Sequence, residues 1–276
     1  QDKFNSLSAR HLAALAAEMK MAQTEVYEVA SFYHHFDIVK EDGVEPAALT
    51  VRVCDGLSCE MAGATDILAR LPGILGQDVR VIAAPCIGRC EQAPAAVVGQ
   101  NPVPHATVEE IVAKVEGKQA KHLPEAYTDY AAYKADGGYA LVKECIEGTR
   151  DIESVIKTME DSGLRGLGGA GFPAGRKWRI VGKEAGPRLM AINIDEGEPG
   201  TFKDRTYLER DPHRFIEGAL IAAWAVGIET IYIYLRDEYH GCRAFRRSFA
   251  MSSSPCAHAS ADACAGHAFA RADSTT

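Results

Sequence analysis

The chain has 276 residues, 47% of them hydrophobic and 25% charged, with a net charge of −8. That length gives room for two ordinary globular domains, and the acidic surplus excludes the basic surface that nucleic-acid binding requires. The longest apolar stretch, Gly218 to Ile228, is bounded by Glu217 and Glu229 and is too short to span a bilayer, so it reads as a buried helix and no membrane insertion is expected.

Leu12, Leu15 and Met19 recur at helical intervals, and a second helix opens near Thr24, a candidate N-cap. Residues 1–36 therefore read as a helical cap. The valine-rich runs "LTVRVCD" and "VRVIAAPC" read as strands, separated by a helix carrying Ile67 and Leu71. A further strand, "PAAVVG", precedes a helix whose start carries a capping box, Thr107 with Glu110. These elements make a compact domain over residues 37–118. Residues 119–138 lack a strong period and end in a glycine pair, which reads as a linker. In the second domain, residues 139–239, Ile152, Val155, Ile156 and Met159 share a helical face; a glycine-rich loop, the strand "RLMAINID", a helix from about Asp211 to Gly227 and the strand "TIYIYLRD" follow. The expected fold class is α/β (α+β) throughout.

After Leu235 the sequence contains no Leu, Ile or Val. Such a composition cannot build a core, so residues 240–276 are expected to be an aberrant, disordered tail. Gln1 is not an initiator, so the natural start is expected upstream.

Cys54 and Cys59 form C-x4-C, Cys86 and Cys90 form C-x3-C, and each pair sits at the end of a strand. Pairs at short spacing point to metal ligation in a reducing, cytoplasmic compartment rather than to a disulfide scaffold. Four such thiolates can close a tetrahedral zinc site or hold a 2Fe-2S cluster with one pair on each iron, and spacing alone does not separate the two. Gly56, Ser58 and Gly88 flank the pairs and let backbone N–H groups approach sulfur, an arrangement that tunes a cluster and that structural zinc does not need. Cys145, Cys242, Cys256 and Cys264 have no partner spacing and receive no role.

The loop "LRGLGGAGFPAGRKW" satisfies G-x-G-x-x-G through Gly166, Gly168 and Gly171. A Rossmann turn must follow a strand and open a helix; here a helix precedes the loop, and Pro173 and Gly175 oppose an immediate long helix after it. The ordinary dinucleotide reading fails on this context. Glycines that admit a ligand to the backbone, with Lys177 as a point charge and Phe172 available to a ring, suit a phosphate-bearing cofactor instead. Downstream, "NIDEGEPGTFKDR" crowds Asp195, Glu196, Glu198 and Asp204 into a glycine-rich turn. That turn reads as a solvated acidic loop, a hard-cation site, or a set of acceptors for ribityl and ribose hydroxyls.

Together, "GLRGLGGAGFPAGRKW" and "NIDEGEPGTFKDRTYLERDPHR" resemble the FMN- and NADH-binding subunit of the NADH dehydrogenase module of respiratory complex I. The first domain resembles the small thioredoxin-like 2Fe-2S subunit of the same module, through "TEVYEVASFYHHF" and the cysteine pairs. Both parts fused in one chain resemble the diaphorase subunits of NAD-dependent formate dehydrogenases and NAD-reducing hydrogenases, with the formate enzyme's beta subunit favoured by overall likeness.

The resemblance implies an incomplete FMN-binding domain behind the thioredoxin-like ferredoxin domain. Gly166, Gly168 and Gly169 would lie against FMN, and Lys177 would reach its phosphate region. Asn193, Asp195 and Glu196 would hold the flavin's polar side, Phe172 would stack with the nicotinamide nucleotide, and Glu198 would position NADH. Cys54, Cys59, Cys86 and Cys90 match the cluster ligands. Ile180 departs from the aromatic that relatives often carry. The family's second glycine-rich loop and its 4Fe-4S cysteines are not encoded here, so weak or no FMN retention is expected.

The implied activity is diaphorase-type electron transfer among NAD(H), FMN and iron–sulfur clusters, in which no side chain acts as acid, base or nucleophile. The alternatives are the diaphorase subunit of an NAD-reducing hydrogenase or of a complex I-like NADH dehydrogenase, a non-catalytic 2Fe-2S electron-carrier fragment, and a zinc-stabilised interaction module. The implied partners are a molybdenum-containing formate dehydrogenase subunit and a small iron–sulfur subunit. His213 has no evident sequence partner and reads as structural or surface-exposed.

Overall fold

The computed structural model describes residues 6–244, apart from 35, 41–42, 44 and 123–125, together with 258–260 and 268–273. The chain forms two compact units: Gln1–Leu123 with Glu196–Phe202, and Pro124–Asp195 with Lys203–Thr276. Both mix helix and sheet, as the sequence implies.

The first unit opens with β1 (Leu7–Ser8), α1 (Ala9–Met19), α2 (Gln23–Phe32) and β2 (Ile38–Val39). The Ser8 hydroxyl accepts from the His11 backbone N–H while His11 Nδ1 accepts from the Ser8 N–H, closing both orphan donors at the start of α1. Leu12, Ala16, Val26 and Ala30 then bury the facing stripes of α1 and α2. Thr24 is not the N-cap of α2. Ala22 holds that position, with Glu25 reaching back to accept from its backbone N–H at 3.0 Å.

Next come β3 (Leu49–Cys54), α3 (Leu57–Met61), α4 (Ala64–Leu75), β4 (Val79–Ala84), β5 (Ala96–Val98), β6 (Asn101–Val103) and α5 (Val108–Glu116). The sheet runs β4-β3-β5-β6, with β3 parallel to β4 and antiparallel to β5. Parallel neighbours need a crossover, and α3 and α4 supply it. Ala64, Ile67 and Leu71 on α4, and Val108 and Ile111 on α5, pack with Val51, Val53 and Val98 of the sheet. Each large apolar side chain buried there contributes roughly 1.5–3 kcal/mol.

The second unit contains α6 (Tyr130–Ala135), α7 (Ala140–Ile146), α8 (Ile152–Asp161), α9 (Ala174–Val181), β7 (Leu189–Ile194), α10 (Lys203–Arg210), α11 (Pro212–Val226), β8 (Thr230–Leu235), β9 (His258–Ser260) and β10 (Ala268–Asp273). Its sheet is ordered β7-β8-β10-β9, with β7 parallel to β8. Trp178 and Val181 of α9 and Ala223 and Val226 of α11 cover Met190, Ile192 and Ile231. Asp211 caps α11, Pro212 occupies its first turn, and Gly227, at φ 69°, ends it in the left-handed conformation that glycine takes without penalty.

Three further features differ from the expectations of the sequence. The segment read as a linker contains α6, because Tyr133 is buried. Pro173, read as opposing an immediate long helix, serves as N-cap of the short helix α9, of 8 residues, just ahead of a first turn whose N–H groups have no intrahelical partner. The region expected to be a disordered tail begins with a 3-10 turn, His240–Ala244, whose Cys242 packs with Ile194, Leu208 and Tyr239, a gap that a small apolar thiol fills. Farther on, β10 runs antiparallel to β8, whose edge offers unpaired backbone groups, and β9 pairs with β10. The rest of the tail, Cys256 and Cys264 included, lies outside the described residues.

Candidate functional site

In the first unit the sheet brings the cysteine pairs together. Cys54 is the last residue of β3 and lies opposite Ala84 in the parallel ladder, so Cys86, two residues beyond, emerges beside it. Gly56 then caps α3, whose first turn returns Cys59, and a 3-10 turn, Cys90–Gln92, returns Cys90. Cys86 Sγ and Cys90 Sγ are 3.4 Å apart. A hydrogen bond from the Cys86 thiol, helped by the Gly56 N–H, holds Cys54 below the usual thiol range against the opposing effect of burial. The same bond, with burial, pushes Cys86 up. A Cβ on Gly56 would lie 3.4 Å from Cys54 Sγ, so this glycine keeps the approach to sulfur open.

Among the described residues no group of three or more His, Cys, Asp or Glu side chains is arranged to hold a metal ion. A binuclear cluster asks for two thiolates per iron, and the two cysteine pairs meet that requirement. Glu196–Phe202 packs within the same unit and places the Gly200 backbone N–H 3.1 Å from Cys90 Sγ, a donor that the sequence reading did not identify.

In the second unit the glycine loop is a closed turn. The Gly166 N–H donates to the Phe172 carbonyl at 2.9 Å, the Ala174 N–H to the Leu164 carbonyl at 2.8 Å, and Arg165 Nη1 to the Gly171 carbonyl at 3.0 Å. Gly169 and Gly171 have φ of 95° and 60°, a region that other residues enter only with strain. Gly168 has an ordinary φ, and nothing lies within 4 Å of where its Cβ would be. The space beside it is open to a ligand. Helices α8 and α9 hold the two ends of the loop: Arg179 donates to Glu153 and Glu160 at 2.8–2.9 Å, and a Cβ on Gly175 would meet the Glu160 backbone nitrogen at 2.5 Å.

Three cations surround this loop. Lys177 is exposed in the first turn of α9, the Arg176 guanidinium lies 5.7 Å from the centroid of the half-exposed Phe172 ring, and Arg165 binds the loop's own backbone. Among the described residues none of the three forms an ion pair. Open glycine backbone with unneutralised cations fits a phosphate-bearing group. Arg165 and Arg176 were not singled out from the sequence, although both lie inside the quoted loop.

Asn193 is exposed at the end of β7, and its Oδ1 accepts from the Asp195 N–H at 2.8 Å. Asp195 and Glu198 are exposed, whereas Glu196 is buried. Ile180 is exposed on α9. His213 is buried, with Nδ1 2.8 Å from the Tyr139 hydroxyl, which makes it a packing residue. Cys145 and Cys242 are likewise buried in apolar clusters. No helix among the described residues is long and apolar enough to cross a membrane.

Residues 1–119 match the family described as thioredoxin-like [2Fe-2S] ferredoxin, and residues 159–255 match the Nuo51 FMN-binding domain. The NAD-reducing hydrogenase HoxS subunit alpha of Cupriavidus necator is 30% identical over 274 residues, spanning 87% of this chain and 44% of that protein. The mitochondrial NADH dehydrogenase [ubiquinone] flavoprotein 1 of Dictyostelium discoideum is 46% identical over 109 residues, covering 38% of this chain and 22% of that protein. A crystal structure of NAD+-reducing [NiFe]-hydrogenase in the air-oxidized state superposes with a TM-score of 0.70 at 28% identity, covering 87% of this chain and 45% of that one. The chain therefore spans less than half the length of these relatives. Two segments of the chain thus match a thioredoxin-like [2Fe-2S] ferredoxin and an FMN-binding domain, which points to a 2Fe-2S cluster in the first and FMN in the second.

Proposed function

We propose, from the premise that one chain joins a thioredoxin-like [2Fe-2S] domain to an FMN-binding domain of the Nuo51 type, that this protein is the diaphorase part of a multi-subunit NAD-dependent oxidoreductase. The observation that carries the reading is that a single NAD-reducing relative aligns across both domains, over 87% of this chain. The chemistry supplied by the cofactors, when bound, is hydride exchange between nicotinamide and flavin and one-electron exchange at the cluster.

The residues' part is to bind and orient. Lys177, with Arg176 and Arg165 beside it, would hold the FMN phosphate region; Gly166, Gly168 and Gly169 would let the cofactor approach the backbone. Asn193, Asp195 and Glu196 would accept from the flavin's polar side, the enclosed carboxylate of Glu196 being the one least screened by water. Phe172 offers a face to the nicotinamide nucleotide, and Glu198 an exposed carboxylate to position it. Cys54, Cys59, Cys86 and Cys90 would ligate the cluster. No side chain is required to transfer a proton.

In this reading the partners are a molybdenum-containing formate dehydrogenase subunit and a small iron–sulfur subunit, in the cytoplasm. A hydrogenase partner has equal support, because both the long relative and the matching structure come from NAD-reducing hydrogenases. The test is anaerobic purification with iron, acid-labile sulfide, zinc and flavin measured on one sample, followed by NADH-dependent reduction of ferricyanide with FMN added. About two irons and two sulfides per chain, with turnover that depends on FMN, is the expected result. Zinc without sulfide overturns the cluster, and absence of NADH turnover at saturating FMN leaves a 2Fe-2S carrier.

A further inference from the structure

The hydrogen bond to Cys90 comes from a residue 110 positions away in sequence. Its donor sits in a turn closed by one acceptor: the Glu198 carbonyl receives both the Thr201 N–H at 3.1 Å and the Thr201 hydroxyl at 2.5 Å. Gly200 occupies φ 90° within that turn, a conformation that aims its N–H outward while its neighbours bond among themselves. A substitution there meets no steric obstacle, since nothing lies within 4 Å of the place its Cβ would take; the glycine is required by conformation and not by space. Cys90 is the most exposed of the four thiols, the other three being buried, and the Ser58 hydroxyl also hydrogen-bonds it. It is therefore the ligand whose environment depends most on added donors.

An electron entering a 2Fe-2S cluster adds negative charge that spreads onto the thiolate sulfurs, and an N–H aimed at sulfur stabilises that charge. Resting on the cluster reading above, we propose that the Glu198–Thr201 turn is a potential-setting element: through the Gly200 N–H on Cys90 Sγ it raises the reduction potential of the cluster held by the four cysteines. Gly200 is a positioning residue and touches no substrate.

The experiment is an EPR-monitored redox titration of the full-length chain carrying Gly200→Pro, which deletes the N–H and cannot adopt φ 90°. Thr201→Val, which removes the hydroxyl from the turn but keeps the Gly200 N–H, is titrated beside it. Gly197→Ala serves as control, lying in the same loop without positive φ and with open space around it. The expected result is a shift to more negative potential for Gly200→Pro of about tenfold in the one-electron equilibrium, or about 59 mV. Thr201→Val should show a smaller shift in the same direction, and Gly197→Ala none.

A Gly200→Pro chain with full iron and sulfide content and an unmoved potential overturns the proposal. Should that variant assemble no cluster, Thr201→Val decides: a negative shift supports the proposal and an unchanged potential overturns it. Iron and sulfide content separate this failure from failure of the cluster reading, since zinc without an EPR signal in the unmodified chain sinks both.

Discussion

Glu217 shows how a single buried residue organises the second unit. Its carboxylate is buried and accepts from the Tyr133 hydroxyl at 2.6 Å, the Tyr139 N–H at 2.9 Å and the Val142 N–H at 3.3 Å. A buried charge is tolerated only with such donors, and burial together with this carboxylate pushes Tyr133 and Tyr139 above the usual phenol range. Glu217→Ala orphans three donors at once and should lower stability by roughly 3–5 kcal/mol in denaturant titrations; a loss no larger than that of an exposed glutamate would remove Glu217 from this role. His213, packed beside the same tyrosines, is held below its ordinary value of 6.5, chiefly by burial. Its unfolded form binds a proton more readily than its folded form, so its contribution to stability is full above the ordinary histidine range and falls as pH drops through it. The melting temperature of the unmodified chain minus that of His213→Phe should therefore shrink between about pH 7.5 and about pH 5.5. A constant difference would mean that His213 does not titrate on unfolding.

At the scale of elements, sequence patterning located the strands that carry the cysteines because their valines alternate or run continuously in a sheet, and it located α4, α5, α8 and α11 from their apolar stripes. It missed several helices, among them α6, α9 and α10, which escaped it for separate physical reasons. Helix α6 is held by Tyr133 reaching Glu217 on α11, a tertiary contact with no local signal. Pro173 reads as a breaker but stands at a cap, where it interrupts no helical hydrogen bond. Helix α10 follows an acidic glycine-rich turn and buries only Arg205 and Leu208, too little for an apolar period. The fit between α8 and α9 is likewise invisible to periodicity. Gly175→Ala gains up to about 1 kcal/mol of helix propensity but drives a Cβ into the backbone of Glu160, an overpacking cost of about 1–3 kcal/mol. The net effect should be destabilisation, with weaker FMN binding because the loop between the two helices is displaced. A more stable variant with unchanged FMN affinity would show that the helices separate without disturbing the loop.

At the scale of the whole molecule, each cofactor's candidate residues were legible because their chemistry is local in sequence: paired thiols at strand ends, and glycines with a lysine in one loop. What the sequence hid is that Glu196–Phe202, continuous with β7 and α10, packs within the first unit, since nothing in a pattern of acids and glycines announces a partner 110 residues earlier. The two sites nevertheless use separate chemistry, so their losses should be separable. Lys177→Gln removes a charge beside the open glycine loop and leaves every cysteine in place. It should weaken FMN binding about tenfold, the equivalent of about 1.4 kcal/mol for one charged contact, with iron and sulfide content unchanged. Cys54→Ser should abolish the normal cluster signal while FMN titrates as before. Fluorescence titration of FMN and iron–sulfide analysis on the same two variants measure both halves. Loss of cluster in the lysine variant, or loss of flavin affinity in the cysteine variant, would show that neither domain holds its cofactor without the other, and the chain would then be one cooperative redox unit instead of two domains in series.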